Sequence, residues 1–143
     1  MTQTNKLIKW FKLIAIITLI WNFFGVMSYL MHAYMTPETL ATLPENQQNF
    51  MNNMPSWRVA AFATATFGGL VGSILLLMKK KIAIALFLLS LIGIIAGNIY
   101  DFFMVNYYKN SDITGLILPV LIVLVSVFLL WYSKKIDSNG MLK

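Results

Sequence analysis

The sequence predicts an all-α fold, a four-helix transmembrane bundle, and three observations lead to this prediction. Apolar residues make up 59% of the 143 residues and charged residues only 11%, so the chain has too few charges to cover a water-facing surface. Four apolar runs are each long enough to cross about 30 Å of hydrocarbon as a helix, which takes about 20 residues. The lysines cluster at the ends of these runs, as positive-inside signals do.

The four predicted spans cover residues 13–34, 57–78, 82–105 and 113–132, within a single membrane domain of residues 1–143. The first span differs from a cleaved signal peptide, because its apolar run is longer and no small-x-small cleavage site follows it. The second span stops at Lys79-Lys80-Lys81, the third starts directly after these lysines, and the fourth ends at Lys134-Lys135. Because lipid offers no partners to backbone groups, each span is expected to be helical.

The distribution of cations sets the predicted orientation. One side of the membrane receives nine lysines, whereas the other receives only Arg58 and Lys109. In short loops such a bias places the lysine-rich side in the cytoplasm. Both termini and the short loop between the second and third spans are therefore expected inside, and the protein is expected in the cell (inner) membrane.

The segment 35–56 joins the first two spans and is expected outside. Thr36-Pro37-Glu38 offers an N-cap residue, a proline at the first helical position and an early acid, and Pro44-Glu45 repeats part of this pattern. Two short helical turns are therefore predicted in this segment. It serves either as a simple surface connector or as a lid over an external opening.

Several function classes are not expected from this sequence. The chain has no cysteine and a single histidine, which leaves no thiol chemistry and too few ligands for a metal site. It has no Gly-rich phosphate loop, no His-Glu-x-x-His and no Gly-x-Ser-x-Gly, so neither an enzyme nor a bound cofactor is predicted. The lysines lie between apolar runs and not along a solvated basic face, so the expected surroundings are the lipid bilayer and not nucleic acid.

Small residues concentrate on the second and third spans, at the spacings of three and four that place them on helix faces. In lipid such faces let helix backbones approach closely. They either pack the helices of one chain together or form a homo-oligomer contact. The fourth span is almost wholly Leu, Ile, Val and Phe after Gly115 and Pro119, so it is expected to be the most exposed to lipid. The predicted packing positions are Gly25, Ala61, Ala65, Gly68, Gly69, Gly72, Gly93 and Gly97.

Polar residues form a stripe along the first span and another along the third. At about 100° per residue, Asn22, Tyr29 and His32 fall within one arc of the first helix. Asp101 lies on the small-residue face of the third helix, with Asn98 beside it. Such stripes turn inward, because an exposed Asn or Asp in hydrocarbon is costly. Asn22 lies near midspan, where an interhelical hydrogen bond is its expected role.

Three ionisable residues are predicted at one depth, near the external ends of three helices. Asp101 is the only acid inside the predicted spans, His32 is the only histidine, and Arg58 opens the second span. An intramembrane ionisable group marks either a functional site or a structural ion pair. Here the alternatives are a site that handles a solute or protons and a pair that only locks helices together. The candidate polar pocket comprises Asn22, Tyr29, His32, Arg58, Asn98 and Asp101.

The chain also resembles a family of uncharacterised small bacterial membrane proteins with four predicted helices. The resemblance covers about the first two thirds of the chain, and its most specific part is the Thr-Pro-Glu segment. It implies a bacterial multi-pass membrane protein, and some family members are automatically labelled "sugar transporter". The strings that carry it are Trp21-Asn22-Phe-Phe-Gly25, Tyr29-Leu-Met, Met35-Thr-Pro-Glu38, Leu43-Pro-Glu45 and Phe67-Gly-Gly69.

Two classes of function follow from these patterns. In the first, the protein is a small-solute transporter or a solute-binding membrane protein with an outward-facing polar pocket. In the second, it is an accessory or assembly subunit that packs against a larger membrane partner through its glycine-rich faces and external loop. A transporter usually has its site near the midplane with access from both sides. Here the charges cluster at one end, which favours a one-sided pocket or an interaction role.

Overall fold

The computed structural model describes residues 3–109 and 113–143, with side chains described from Lys6 onward. Within these residues the chain forms helices and no strands. Four helices are long and apolar enough to cross a membrane. The prediction of an all-α fold with four helices of membrane-spanning length and composition is confirmed.

The four long helices are α1 (Gln3–Ala33), α4 (Ser56–Leu77), α5 (Ala83–Ile99) and α6 (Ile113–Ser138). A π-helical turn, Tyr100–Met104, continues α5. Helix α1 begins well before the predicted start at residue 13, and α6 continues beyond the predicted end at residue 132. Lysine side chains lie along both extensions. Because a lysine stem can follow an apolar surface while its ammonium stays in water, a helix continues past the hydrocarbon region without cost.

Two short helices, α2 (Pro37–Ala41) and α3 (Glu45–Asn52), occupy the connection between α1 and α4. The Thr36 hydroxyl accepts a hydrogen bond from the Thr39 amide at 3.3 Å, and Pro37 is the first residue of α2. This confirms the two predicted helical turns. We call the end of the bundle that carries α2 and α3 the loop end, and the opposite end, with Lys79–Lys81, the lysine end.

Helix α3 is attached to the loop end of α5 by aromatic rings. The Phe50 ring lies 4.2 Å from the Tyr107 ring and 6.2 Å from the Tyr100 ring, measured between centroids. Tyr100 also meets the Trp57 ring edge-on at 5.4 Å. These contacts join α3, the start of α4 and the end of α5 into one aromatic cluster.

The long helices pack in the order α1, α4, α5, α6, and the contact between α4 and α5 is the most extensive. A Cβ atom on Gly93 of α5 would lie 2.7 Å from the Ala61 carbonyl oxygen and 3.0 Å from the Ala65 backbone nitrogen. Only glycine therefore permits this backbone approach. The Ser90 hydroxyl donates to the Ala65 carbonyl at 2.5 Å, which adds a hydrogen bond between the same two helices.

The glycines of α4 face two different neighbours. A Cβ on Gly72 would lie 3.1 Å from the Phe87 ring of α5, and one on Gly68 would lie 3.4 Å from a backbone carbonyl of α5. Gly69 instead faces α1, where an added Cβ would overlap the side-chain amide of Asn22. The small residues of α4 thus contact α5 on one side and α1 on the other.

A buried apolar cluster closes the bundle at the lysine end. Helix α6 is the least buried of the four long helices, as its composition predicted. In its most apolar stretch 11% of the residues are buried, compared with 33% in that of α4. The chain then returns, and the Lys143 backbone pairs with the backbones of Lys79 and Lys81 at 2.7 and 2.9 Å. The cluster comprises Phe11, Ala15, Leu76, Ala83, Phe87, Leu129, Tyr132, Ile136 and Leu142.

Candidate functional site

A cavity of about 450 Å³ lies in the loop-end half of the bundle, and all four long helices contribute to its lining. In the packing order of the bundle, α4 and α5 lie between α1 and α6. Helices α1 and α6 share the buried cluster at the lysine end. Nearer the loop end, Phe24 of α1 and Leu118 of α6 both line the cavity and are largely exposed, so the cavity reaches the surface at a gap between these two helices. The buried cluster at the lysine end lies beneath the cavity.

An ion pair lies at the loop end of this cavity. Arg58 Nε donates to Asp101 Oδ1 at 2.9 Å and Arg58 Nη2 donates to Asp101 Oδ2 at 2.7 Å. The two side chains are 13% and 7% exposed. A Cβ on Gly97 would lie 3.1 Å from the guanidinium carbon, so the glycine leaves room for the arginine. This two-point geometry fixes both side chains and makes the pair neutral as a unit.

The π-helical turn determines where Asp101 and the following residues lie. The Val105 amide donates to the Tyr100 carbonyl at 3.1 Å, and the Tyr107 amide donates to the Asp101 carbonyl at 2.8 Å. Asn106 has a φ of 49°, in the left-handed region that asparagine tolerates better than most residues. Single π-helical turns are rare and frequently occur at functional sites. Here the turn ends α5 and folds the chain back toward the bundle.

Tyr108 lines the cavity beside the ion pair as a result of this turn. Its ring stacks on Phe102 with 4.6 Å between centroids. Burial raises the pKa of the Tyr108 hydroxyl, and the negative charge of Asp101 acts in the same direction. The phenol therefore presents a neutral, protonated hydroxyl to the cavity at physiological pH.

Asn22 lies at the deep end of the cavity. Its Nδ2 donates to the Thr18 carbonyl at 2.9 Å and to the Ser73 hydroxyl at 3.0 Å, and that hydroxyl donates to the Gly69 carbonyl at 2.7 Å. This is the interhelical bond expected from its midspan position, and it joins α1 to α4. Among the described residues no donor bonds to Asn22 Oδ1, which lies against Gly69 of α4.

Two further groups on the cavity wall have unused hydrogen-bonding capacity within the described residues. The side-chain amide of Asn98 bonds to no described residue, although it lines the cavity. Arg58 uses Nε and Nη2 for the ion pair, so its Nη1 keeps two N–H groups without an acceptor. The Ser126 hydroxyl of α6 donates to the Ile122 carbonyl of its own helix at 2.7 Å. The cavity thus offers donors and acceptors at several depths.

Comparison of the chain with protein-family models, curated proteins and solved structures finds no match. Among the described residues, no three His, Asp or Glu side chains come close enough to hold a metal ion together. The polar groups of the cavity are amides, hydroxyls and a neutral ion pair. Groups of these kinds form hydrogen bonds and carry no net charge.

The structure brings four of the six predicted pocket residues to the cavity and leaves two outside its lining. Tyr29 packs edge-on against the Phe62 ring at 5.4 Å and the Phe67 ring at 5.6 Å. The His32 ring lies 6.0 Å from Phe62. Both side chains are therefore occupied by aromatic contacts with α4, and His32 does not join the Arg58–Asp101 pair. The four residues that line the cavity are Asn22, Arg58, Asn98 and Asp101.

Several cavity residues were not predicted from the sequence. Ser126 is the one hydroxyl residue in the apolar run 116–131 of α6, and this was the available signal for a polar face on α6. Trp21 and Tyr108 also line the cavity. Trp21 is adjacent to Asn22 in the sequence, whereas the position of Tyr108 depends on the π-helical turn. Ser126 and Trp21 therefore carry a sequence signal, and Tyr108 does not.

Proposed function

We propose that this chain is a small-molecule-binding protein of the cell (inner) membrane, and that its ligand occupies the cavity between α1 and α6. In this proposal both termini and the lysine end lie in the cytoplasm, and α2 and α3 lie outside. The observation that carries it is the cavity itself, which combines a neutral ion pair with polar groups whose hydrogen-bonding capacity is unused. The proposal includes neither a catalytic step nor a cofactor.

The free-energy cost of unpaired polar groups supports a ligand in this position. A polar group that faces hydrocarbon without a partner is destabilising, and Asn98 and Arg58 Nη1 both lack one within the described residues. A ligand in the cavity would satisfy them. The volume of about 450 Å³ falls in the range of about 300–1,000 Å³ that small-molecule sites occupy. The buried cluster beneath the cavity leaves access from the loop-end half, so transport would require a second conformation.

Cysteine labelling tests this proposal, because the chain has no cysteine of its own. Ser126 lines the cavity, whereas its neighbour Val127 is 50% exposed and does not line it. A thiol reacts as the thiolate and so requires water. With a small uncharged maleimide added to isolated membranes, we expect the Ser126→Cys variant to react at least about tenfold faster than the Val127→Cys variant.

The outcomes of this experiment separate the alternatives. Equally slow labelling at both positions would mean that water does not enter the cavity, and the proposal would be wrong. Labelling that becomes possible only after detergent extraction would indicate that a partner fills the cavity, which favours the accessory-subunit assignment.

The orientation has its own test. Reporter fusions after Met78 and after Lys143 should report a cytoplasmic location, and a fusion near Asn49 should report an external one. The reason is the excess of lysines at the ends of the spans, which retains short loops in the cytoplasm. An external signal from the fusion after Met78 would contradict the orientation.

A further inference from the structure

We infer that the ligand of this cavity is an uncharged single-chain amphiphile, whose headgroup lies in the cavity and whose tail leaves through the gap between α1 and α6 into the bilayer. This inference rests on the proposed function and adds the chemical class of the ligand. Three properties of the cavity carry it: its net charge, its hydrogen-bonding groups and the position of its opening.

Net charge selects an uncharged headgroup. Of the described residues that line the cavity, only Arg58 and Asp101 are charged, and their two hydrogen bonds of 2.9 and 2.7 Å pair them with each other. A charged ligand would therefore enter a low-dielectric site without a counter-ion, and the loss of its hydration would not be recovered. A ligand that displaced one member of the pair would leave the other member unpaired.

The hydrogen-bonding groups select a headgroup that both donates and accepts. Arg58 Nη1 offers donors at the loop end of the cavity. The amide of Asn98 offers a donor and an acceptor. A headgroup with hydroxyls and a carbonyl, such as a glycerol ester, matches this set. A purely apolar molecule would leave all of these groups unsatisfied.

The opening of the cavity selects a ligand that comes from the bilayer. Phe24 of α1 and Leu118 of α6 both line the cavity and are 66% and 59% exposed, so an apolar rim continues from the cavity to the outer surface of the bundle. Tyr108 and the Arg58–Asp101 pair occupy the loop end of the cavity. A tail that passes through the gap would cover this rim. A volume of about 450 Å³ suits a headgroup and part of one chain.

The test uses the full chain with Ser126→Cys in phosphatidylcholine nanodiscs, labelled with an uncharged maleimide. The probes are monooleoylglycerol and two matched chains, oleyl trimethylammonium and oleyl sulfate. A bound probe lowers the labelling rate by a factor of one plus the ratio of probe concentration to Kd. A probe at ten times its Kd therefore gives about tenfold protection. We expect protection by monooleoylglycerol alone, and none in the Val127→Cys control. Adding Asn98→Leu should weaken the protection.

Other outcomes overturn this inference in distinguishable ways. Equal protection by all three probes would indicate unspecific partitioning, and the inference would be wrong. Protection by free glycerol but not by monooleoylglycerol would identify a water-soluble ligand, which leaves the proposed function in place and removes the amphiphile. A thiol at position 126 that fails to react without any probe would remove the proposed function as well.

Discussion

Removal of one member of the Arg58–Asp101 pair should destabilise the protein more than removal of both. The perturbations are Arg58→Gln, Asp101→Asn and the double variant. Asp101→Asn keeps the shape of the side chain, Arg58→Gln shortens it but keeps it polar, and both remove a charge. Each single variant leaves a charge in a site where the wild-type side chains are only 13% and 7% exposed. The double variant leaves two neutral polar groups.

The expected magnitude follows from the geometry. With donor–acceptor distances of 2.7 and 2.9 Å, the two charge centres are about 4 Å apart, and an effective dielectric constant of about 20 gives an attraction of about 4 kcal/mol. Removing one partner of a buried pair costs about 3–5 kcal/mol, because the other charge stays behind. We expect the double variant to lose about 1–2 kcal/mol of unfolding free energy, less than either single variant.

The two single variants should also differ from each other. A guanidinium keeps its proton at every accessible pH, whereas a carboxylate without a counter-ion can take one up and become neutral. Asp101→Asn should therefore be the more destabilising change at neutral pH.

The assay is thermal unfolding of the four proteins in the same nanodiscs, compared with a second ion pair of the same chain. Lys81 and Asp137 are 3.1 Å apart, with side chains 67% and 22% exposed, and an exposed pair contributes only about 0–1 kcal/mol. The Lys81→Gln and Asp137→Asn variants should therefore stay close to wild type. If the effects of Arg58→Gln and Asp101→Asn simply add in the double variant, the argument for a coupled pair fails.

Three other predictions concern packing and titration. Gly93→Ala should lower the free energy of unfolding by about 1–3 kcal/mol, because its methyl group would meet the backbone of α4. Gly68→Ala should lower it much less, and equal losses in thermal unfolding would contradict the close approach of α4 and α5. Gly69→Ala should destabilise the wild type, where it overlaps Asn22, but not a protein that already carries Asn22→Ala. Because the pKa of Tyr108 is raised, the folded state holds the phenol proton more tightly than the unfolded chain does. The resulting stability is present below pH of about 10 and is lost as the pH rises through the raised pKa of the folded state. Above pH of about 10 the melting temperature should therefore fall less steeply with pH in Tyr108→Phe than in the wild type. Identical curves of melting temperature against pH would contradict the assigned burial of Tyr108.

The membrane makes the number of helices and the ion pair predictable from the sequence. A span must be apolar, helical and about 20 residues long, so few alternatives exist. The same environment makes an isolated charge costly, so an acid and a base at one depth are expected to pair, as Arg58 and Asp101 do. The close contact at Gly93 was predicted for a similar reason, because small residues at helical spacing mark helix contacts in lipid.

The rest of the site depends on details that a helical wheel does not resolve. Tyr29 and His32 share an arc with Asn22, yet an arc of about 100° spans both the cavity side of α1 and the side that meets the aromatic rings of α4. The π-helical turn has no recognisable sequence pattern, and it places Tyr108 beside the ion pair. The extended ends of α1 and α6 were missed because hydropathy detects the hydrocarbon region and not the helix.

The packing order of the helices has a mechanical consequence. Each outer helix, α1 and α6, has one principal neighbour, and both are joined to the buried cluster at the lysine end. A tilt of about 10° around that end would move the far end of a 26-residue helix such as α6 by about 7 Å, since such a helix is about 39 Å long. Pro119 lies in the cavity wall and has no N–H to donate, which makes α6 easier to bend there. The α4–α5 pair can thus act as a rigid frame while the outer helices change the width of the gap.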